Sequence, residues 1–176
     1  APFPHQFAAG YLGQVGPDKG VSYLLQAWAR LNYKDAILHL AGPGTESLSH
    51  FIQRNLTNGN FNLIGFVESA STLYNLSSIY IQPSVVESFG IEVLEAMAHG
   101  RPVIVSDGAG ACDMVTEGVD GFIVPKRNPN AIAERIDYLR QNPQRVIEMG
   151  KKAREKAEQY SWEKIKARYI ELWKRP

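Results

Sequence analysis

Residues 79–106 read IYIQPSVVESFGIEVLEAMAHGRPVIVS, and the order of patterns within them decides the fold. A short β-rich apolar run, Ile79 to Gln82, stops at Pro83. After a loop, Phe89 to His99 carry apolar residues at helical spacing. Gly100 tolerates the left-handed conformation of a helix cap and Pro102 cannot continue a helix, so the chain turns there. Val103 to Ser106 then form a second β-rich run. Strand, loop, helix and strand in direct succession make a βαβ unit, which requires a parallel sheet with helices laid over it.

The same alternation extends in both directions. Upstream strands are predicted at Ala8 to Leu12, Ile37 to Ala41 and Asn62 to Gly65, and a downstream one at Phe122 to Val124. Helices are predicted at Gly20 to Leu31, Glu46 to Leu56, Ser71 to Asn75, Ala111 to Glu117 and Pro129 to Arg140. Six strands, each followed by a helix, predict an α/β fold: a Rossmann-like, doubly wound parallel sheet with helices on both faces. Asn128-Pro129 supplies an N-cap and a first-turn proline, after which Ile132, Ala133, Ile136 and Leu139 share one face. Asn142-Pro143 opens a further helix through the Lys151 region. Ser161 caps a last one, with Trp162, Ile165, Tyr169, Leu172 and Trp173 at helical spacing. That stripe has no strand left to serve, so it is either ordinary core or a surface that docks on something outside this chain.

At 176 residues, 44% hydrophobic and 21% charged, the chain fits a single globular domain and excludes disorder, a coiled coil or a fibre. No apolar run approaches the ~18 residues of a membrane span and no secretory signal opens the sequence, which predicts a soluble, mature, cytoplasmic chain. Nineteen basic against eighteen acidic residues leave no bias toward nucleic acid. The charge is uneven, however: residues 151–176 hold nine basic and four acidic side chains, a net of +5, so the remainder carries −4. A basic amphipathic tail suits peripheral contact with an anionic membrane face or a partner, and equally a solvated helix surface. Cys112 stands alone, so neither an intrachain disulfide nor a thiolate metal cluster is available, and no metal site is expected.

Three loops could carry chemistry, each following a strand. In the densest, Pro83 to Gly100, the free N–H groups around Phe89, Gly90 and Ile91 at a helix start make an anion-ready edge. Glu87 in the loop and Glu95 two turns later could accept hydrogen bonds from hydroxyls at opposite ends of one extended polar ligand. On spacing alone, Glu87 is equally a helix-dipole residue and Glu95 an exposed helical side chain. The second loop, Gly13-Gln14-Val15-Gly16-Pro17-Asp18-Lys19-Gly20, combines glycines with a lysine as a phosphate-binding turn does, although ordinary turns share that composition. The third, Asp107 to Asp113, brings glycine-rich backbone to another strand end.

The segment Pro83 to Gly110, with seven residues between Glu87 and Glu95, resembles the Glu-x7-Glu signature of the family 4 retaining glycosyltransferases. Around it, in the family's order, lie Gly13 to Gly20, Leu40 to Gly44, Ile64 to Val67, Asp120 to Val124 and Tyr160 to Glu163. The resemblance covers nearly the whole chain and is to the C-terminal, donor-binding half of a GT-B architecture, two Rossmann-like halves flanking a crevice. It implies a hexosyltransferase that needs an N-terminal acceptor-binding half absent from this chain, with residues 161–176 a helix that packs on that half. It implies a nucleotide-diphosphate sugar as donor substrate and no cofactor. Carried over, Glu87 holds hydroxyls of the donor sugar, the backbone of Phe89, Gly90 and Ile91 meets sugar hydroxyls and diphosphate, and Glu95 bonds the ribose. Lys19 neutralises the leaving diphosphate, the Phe66-Val67 backbone reads the base edge, and Gly13, Gln14 and Ser84 complete the substrate-binding set. The sequence departs from the family at Gln14, where an arginine is usual five residues before the loop lysine, and at Asp113, where glutamate is common. Alternatives on the same plan are a non-catalytic sugar-nucleotide or partner-binding module, an epimerase or a phosphorylase.

Overall fold

The computed structural model describes residues 3–55 and 60–174. Six parallel strands form one sheet: β1 (Phe7–Leu12), β2 (Ala36–Ala41), β3 (Phe61–Gly65), β4 (Ile79–Gln82), β5 (Val103–Ser106) and β6 (Gly121–Val124). Their order is β3-β2-β1-β4-β5-β6. The chain builds outward from β1 to β3, returns to lay β4 beside β1, and builds outward again on the other side. This is the doubly wound arrangement, and it leaves a crevice at the carboxyl ends of β1 and β4, where the winding reverses.

The helices are α1 (Val21–Leu31), α2 (Leu48–Asn55), α3 (Ser71–Leu76), α4 (Ile91–Ala98), α5 (Pro129–Gln141), α6 (Pro143–Ala157) and α7 (Trp162–Trp173). The central strands are buried on both faces, which is why they read as nearly continuous apolar runs. On one face Leu24, Leu25 and Trp28 of α1 and Ile132, Ile136 and Leu139 of α5 pack with Leu38, Ile79, Ile81 and Ile104. On the other, Leu73 and Tyr74 of α3 and Val93, Ala96 and Met97 of α4 pack with Tyr80, Val103 and Val105. Helix α6 serves both, with Val146 and Met149 in the first cluster and Ala153 and Ala157 in the second. In α5 the expected cap is present: Asn128 Oδ1 accepts from the amides of Asn130 and Ala131, both at 3.1 Å.

Three expected helices differ. Ala111 to Glu117 is not an α-helix: a 3₁₀ turn occupies Gly110–Met114 and Val115 is extended. The β-branched pair Val115 and Thr116 disfavours a helix, and Asp120 Oδ1 takes the Thr116 amide at 2.8 Å, a local bond that competes with a helical one. The helix expected from Phe89 begins only at Ile91, because Gly90 is left-handed at φ 88°. Glu46 to Leu56 divides into a 3₁₀ turn at Thr45–Ser47 and α2, and Leu56 lies outside the described residues. Helix α7 carries its stripe on the surface and buries none of its described side chains; Trp162 and Trp173 are 78% and 84% exposed. Among the described residues, no helix is long and apolar enough to cross a membrane.

Candidate functional site

The loops after β1, β4 and β5 meet at the crevice and lock to one another through the backbone. Gly20, left-handed at φ 66°, lies so close to the β4 loop that a Cβ there would meet the Pro83 carbonyl oxygen at 2.0 Å. The Asp18 carbonyl next to it accepts from both the Val85 and Val86 amides, at 2.7 and 3.2 Å. On the far side, the Glu87 amide donates to the Gly108 carbonyl at 2.9 Å and the Gly110 amide returns to the Glu87 carbonyl at 3.0 Å. The β4 loop is therefore clamped between its neighbours, and Glu87 sits in the clamp.

The Lys19 ammonium pairs directly with Glu87 Oε2, so the residues expected to meet the leaving diphosphate and the donor sugar are in contact. Their side chains keep 31% and 16% of their surface, enough for a ligand to reach both. Beneath them runs a buried polar chain. The Tyr80 phenol donates to Gln82 Oε1 at 2.6 Å, Gln82 Nε2 donates to Ser84 Oγ at 2.9 Å, and the Ser106 hydroxyl donates to the Ser84 carbonyl. Burial holds the Tyr80 phenol far above its ordinary pKa, with the neighbouring Tyr74 phenol and Glu92 adding to it, so it is a permanent donor. Ser84, expected to touch substrate, is instead fully buried and spends its hydroxyl on this chain.

Helix α4 opens the crevice on its other flank. Gly90 is its N-cap, and the amides of Phe89, Gly90 and Ile91 have no backbone acceptor among the described residues. Unpaired N–H groups at a helix start favour an anion or a hydroxyl oxygen. The Phe89 and Ile91 side chains are about half exposed. With Leu94, Glu95 and the α7 residues Trp162 and Tyr169 they border a cleft of about 740 Å³.

Glu95 does not stand alone on α4. The Tyr74 phenol donates to its Oε2 at 3.0 Å, and His99 contacts its main-chain carbonyl through Nδ1 at 2.8 Å. The remaining expected residues lie around the rim. Gln14 is exposed, with its carbonyl taken by the Tyr11 phenol at 3.0 Å, and Gly13 donates its amide to the Ala41 carbonyl at 3.0 Å. Phe66 is 73% exposed beyond the end of the edge strand β3, while Val67 packs against the core. Tyr74, His99, Gln82 and Tyr80 were not singled out by sequence reasoning. Only Gln82 left a trace, an amide closing an otherwise apolar strand. Among the described residues, no group of three or more His, Cys, Asp or Glu side chains is arranged to hold a metal ion.

The model of the glycosyl transferases group 1 family matches residues 3–159. An uncharacterized glycosyltransferase of Haemophilus influenzae is 32% identical over 168 residues, which are 93% of this chain and 46% of that protein. The capsular polysaccharide biosynthesis glycosyltransferase CapM of Staphylococcus aureus is 32% identical over 173 residues, again 93% of this chain and 46% of that protein. Among solved structures, Anabaena HepE in complex with UDP and glucose superposes with a TM-score of 0.80 at 23% identity, over 88% of this chain and 44% of that one. The chain thus spans about half the length of the relatives it matches. With the family model covering most of its length, and the paired Glu87 and Glu95 set on a doubly wound sheet, the chain belongs to the glycosyl transferases group 1 family.

Proposed function

We propose that this glycosyltransferase domain is the donor-binding half of a retaining enzyme that moves a hexosyl group from a UDP- or GDP-sugar to an acceptor hydroxyl. The observation that carries the reading is the Lys19–Glu87 pair at the point where the sheet reverses its winding. There, a cation and a hydroxyl acceptor stand side by side, beside the free amides of a helix start. HepE, a protein of the same fold, was crystallised with UDP and glucose, which supports the donor class.

In this reading the diphosphate takes Lys19 and the amides of Phe89 to Ile91. Departure of the nucleoside diphosphate concentrates negative charge on its oxygens, and a fixed cation stabilises that charge more than the ground state. Glu87 accepts from the sugar hydroxyls, Glu95 accepts from the ribose, and the Phe66-Val67 backbone meets the base. Gly13 and Gln14 border the phosphates, and Ser84 supports the loop from below. The reading assigns neutralisation of the leaving group to the protein's own cation and dipole, with no metal or organic cofactor. Turnover requires a second, acceptor-binding half, on which the exposed face of α7 packs. The aromatic and basic surface of that helix also suits peripheral contact with the inner face of a membrane. A non-catalytic reading has one observation in its favour, the uncharged Gln14 in a position where an arginine is usual.

Calorimetric titration of this domain with UDP, GDP and their sugar derivatives tests the reading. Lys19→Ala weakens the nucleoside diphosphate by about 10- to 100-fold, the scale of a lost charged hydrogen bond of ~1.5–3 kcal/mol, and barely changes the free nucleoside. Absence of binding to any of these at millimolar concentration refutes it. Joining the domain to an acceptor-binding half and comparing turnover with that of a Gln14→Arg variant separates a transferase from a module that only binds.

A further inference from the structure

Glu95 belongs to α4, while the loop beyond β3 that carries Phe66 and Val67 leads into α3. Two side-chain contacts join these elements. The first is the Tyr74 phenol of α3, which donates to Glu95 Oε2 at 3.0 Å, with the Glu92 carbonyl also within reach at 3.1 Å. A phenol has one hydrogen, and the carboxylate is the stronger acceptor. The second is His99, at the C-cap of α4: its Nδ1 faces the Glu95 carbonyl at 2.8 Å and its Nε2 faces the Ser71 hydroxyl of α3 at 3.0 Å. A carbonyl can only accept, so Nδ1 carries the hydrogen, which in the neutral ring leaves Nε2 to accept from Ser71. The Tyr74 ring lies against the His99 ring with centroids 5.0 Å apart, and Tyr74 is fully buried.

We propose that Tyr74 is the positioning residue of the nucleoside end of the site: its phenol fixes one oxygen of the Glu95 carboxylate and leaves the other to receive the hydroxyls of the donor ribose. The proposal rests on the donor reading above. Glu95 Oε1 accepts no hydrogen bond among the described residues, whereas Oε2 is engaged. A carboxylate on a flexible glutamate side chain would otherwise lose rotamer freedom on meeting a diol, and a prior hydrogen bond removes part of that cost. Burial is the main reason that the Tyr74 phenol titrates far above its ordinary range, with the Glu95 charge reinforcing it, so the donor persists at every physiological pH. Because Tyr74 sits on the helix that follows Phe66 and Val67, it also ties the ribose acceptor to the segment assigned to the base.

The test is a cycle of ligand and protein changes read by calorimetry on this domain, with UDP and 2′,3′-dideoxyuridine diphosphate as probes. Tyr74→Phe keeps the ring packing and removes only the hydroxyl. The expected result is UDP binding about tenfold weaker, with the dideoxy probe changed less than twofold, and no further loss when Tyr74→Phe is added to Glu95→Ala. Equal weakening of both probes assigns Tyr74 a purely structural role and overturns the proposal. Unchanged UDP binding in Tyr74→Phe, with clear weakening in Glu95→Ala, overturns the positioning role while the donor reading stands. Unchanged binding in Glu95→Ala as well removes the ribose assignment itself, and the proposal with it.

Discussion

Replacing Gly20 by alanine tests whether the candidate site and the fold are held by the same contact. Gly20 is left-handed at φ 66°, and an added Cβ would stand 2.0 Å from the Pro83 carbonyl oxygen, closer than any real contact. The opposing atom is backbone, so no side chain can swing away, and the β1 and β4 loops must separate. The left-handed conformation alone costs an L-residue roughly 1–2 kcal/mol. Separation also strains the paired bonds from the Val85 and Val86 amides to the Asp18 carbonyl, each worth about 1 kcal/mol. The expected loss is therefore about 3 kcal/mol, which for a domain of this size lowers the melting temperature by roughly 6–12 °C. Urea denaturation followed by tryptophan fluorescence measures the first quantity. Calorimetry with UDP measures the accompanying effect on the site, because moving Asp18 also moves Lys19 away from Glu87. Gly16→Ala is the control: its backbone is extended and an added Cβ meets nothing within 4 Å, so stability changes by less than about 0.5 kcal/mol. A Gly20→Ala protein as stable as the parent would refute the argument that these loops are fixed by close backbone approach.

Two further perturbations probe buried polar groups. Gln82→Leu deprives Tyr80 Oη and Ser84 Oγ of a partner at one stroke, and destabilises the domain by about 1–3 kcal/mol in the same denaturation assay; an unchanged midpoint would mean that the polar chain carries no net stability. His39 is nearly buried on β2, and burial lowers its pKa below the ordinary 6.5; Asn62 Nδ2 donates to its Nδ1 at 3.1 Å, which requires the neutral ring. The unfolded chain therefore binds a proton that the folded one refuses, so this stability is complete above pH 6.5 and declines as pH falls below it. His39→Gln keeps an acceptor for Asn62 and should flatten the slope of stability between pH 7.5 and 5; an identical slope would show that His39 does not titrate as described.

The strands were legible because each central one is buried on both faces, so Ile79–Gln82 and Val103–Ser106 appear in sequence as short, dense apolar runs ended by turn residues. The loops of the site were legible for a related reason, since glycine and charge follow those strands directly. The turn at Gly110–Met114 was read as a helix because composition does not reveal that Asp120 reaches back to the Thr116 amide. The support behind Glu95 was illegible altogether. Tyr74 looks like any apolar-aromatic residue of a short helix, and its meaning comes from a partner 21 positions away. Ser84 failed for the opposite reason: its place in the loop was apparent, but the direction of its hydroxyl, inward to Gln82, depends on packing that no local pattern records.

The Lys19–Glu87 contact joins residues 68 positions apart, one from each wing of the sheet. Neither wing holds a working half-site: β1 to α3 supplies the cation and the phenol, and β4 to α6 supplies both carboxylates. Closing so long a loop is entropically unfavourable until β4 docks on β1, so the two charges come together only once about half of the chain has been made and folded. Recognition of a ligand that spans them is consequently a report on the docking of the two wings. A chain in which β4 has not docked on β1, even one with native helices, has no weakened version of this grip to offer.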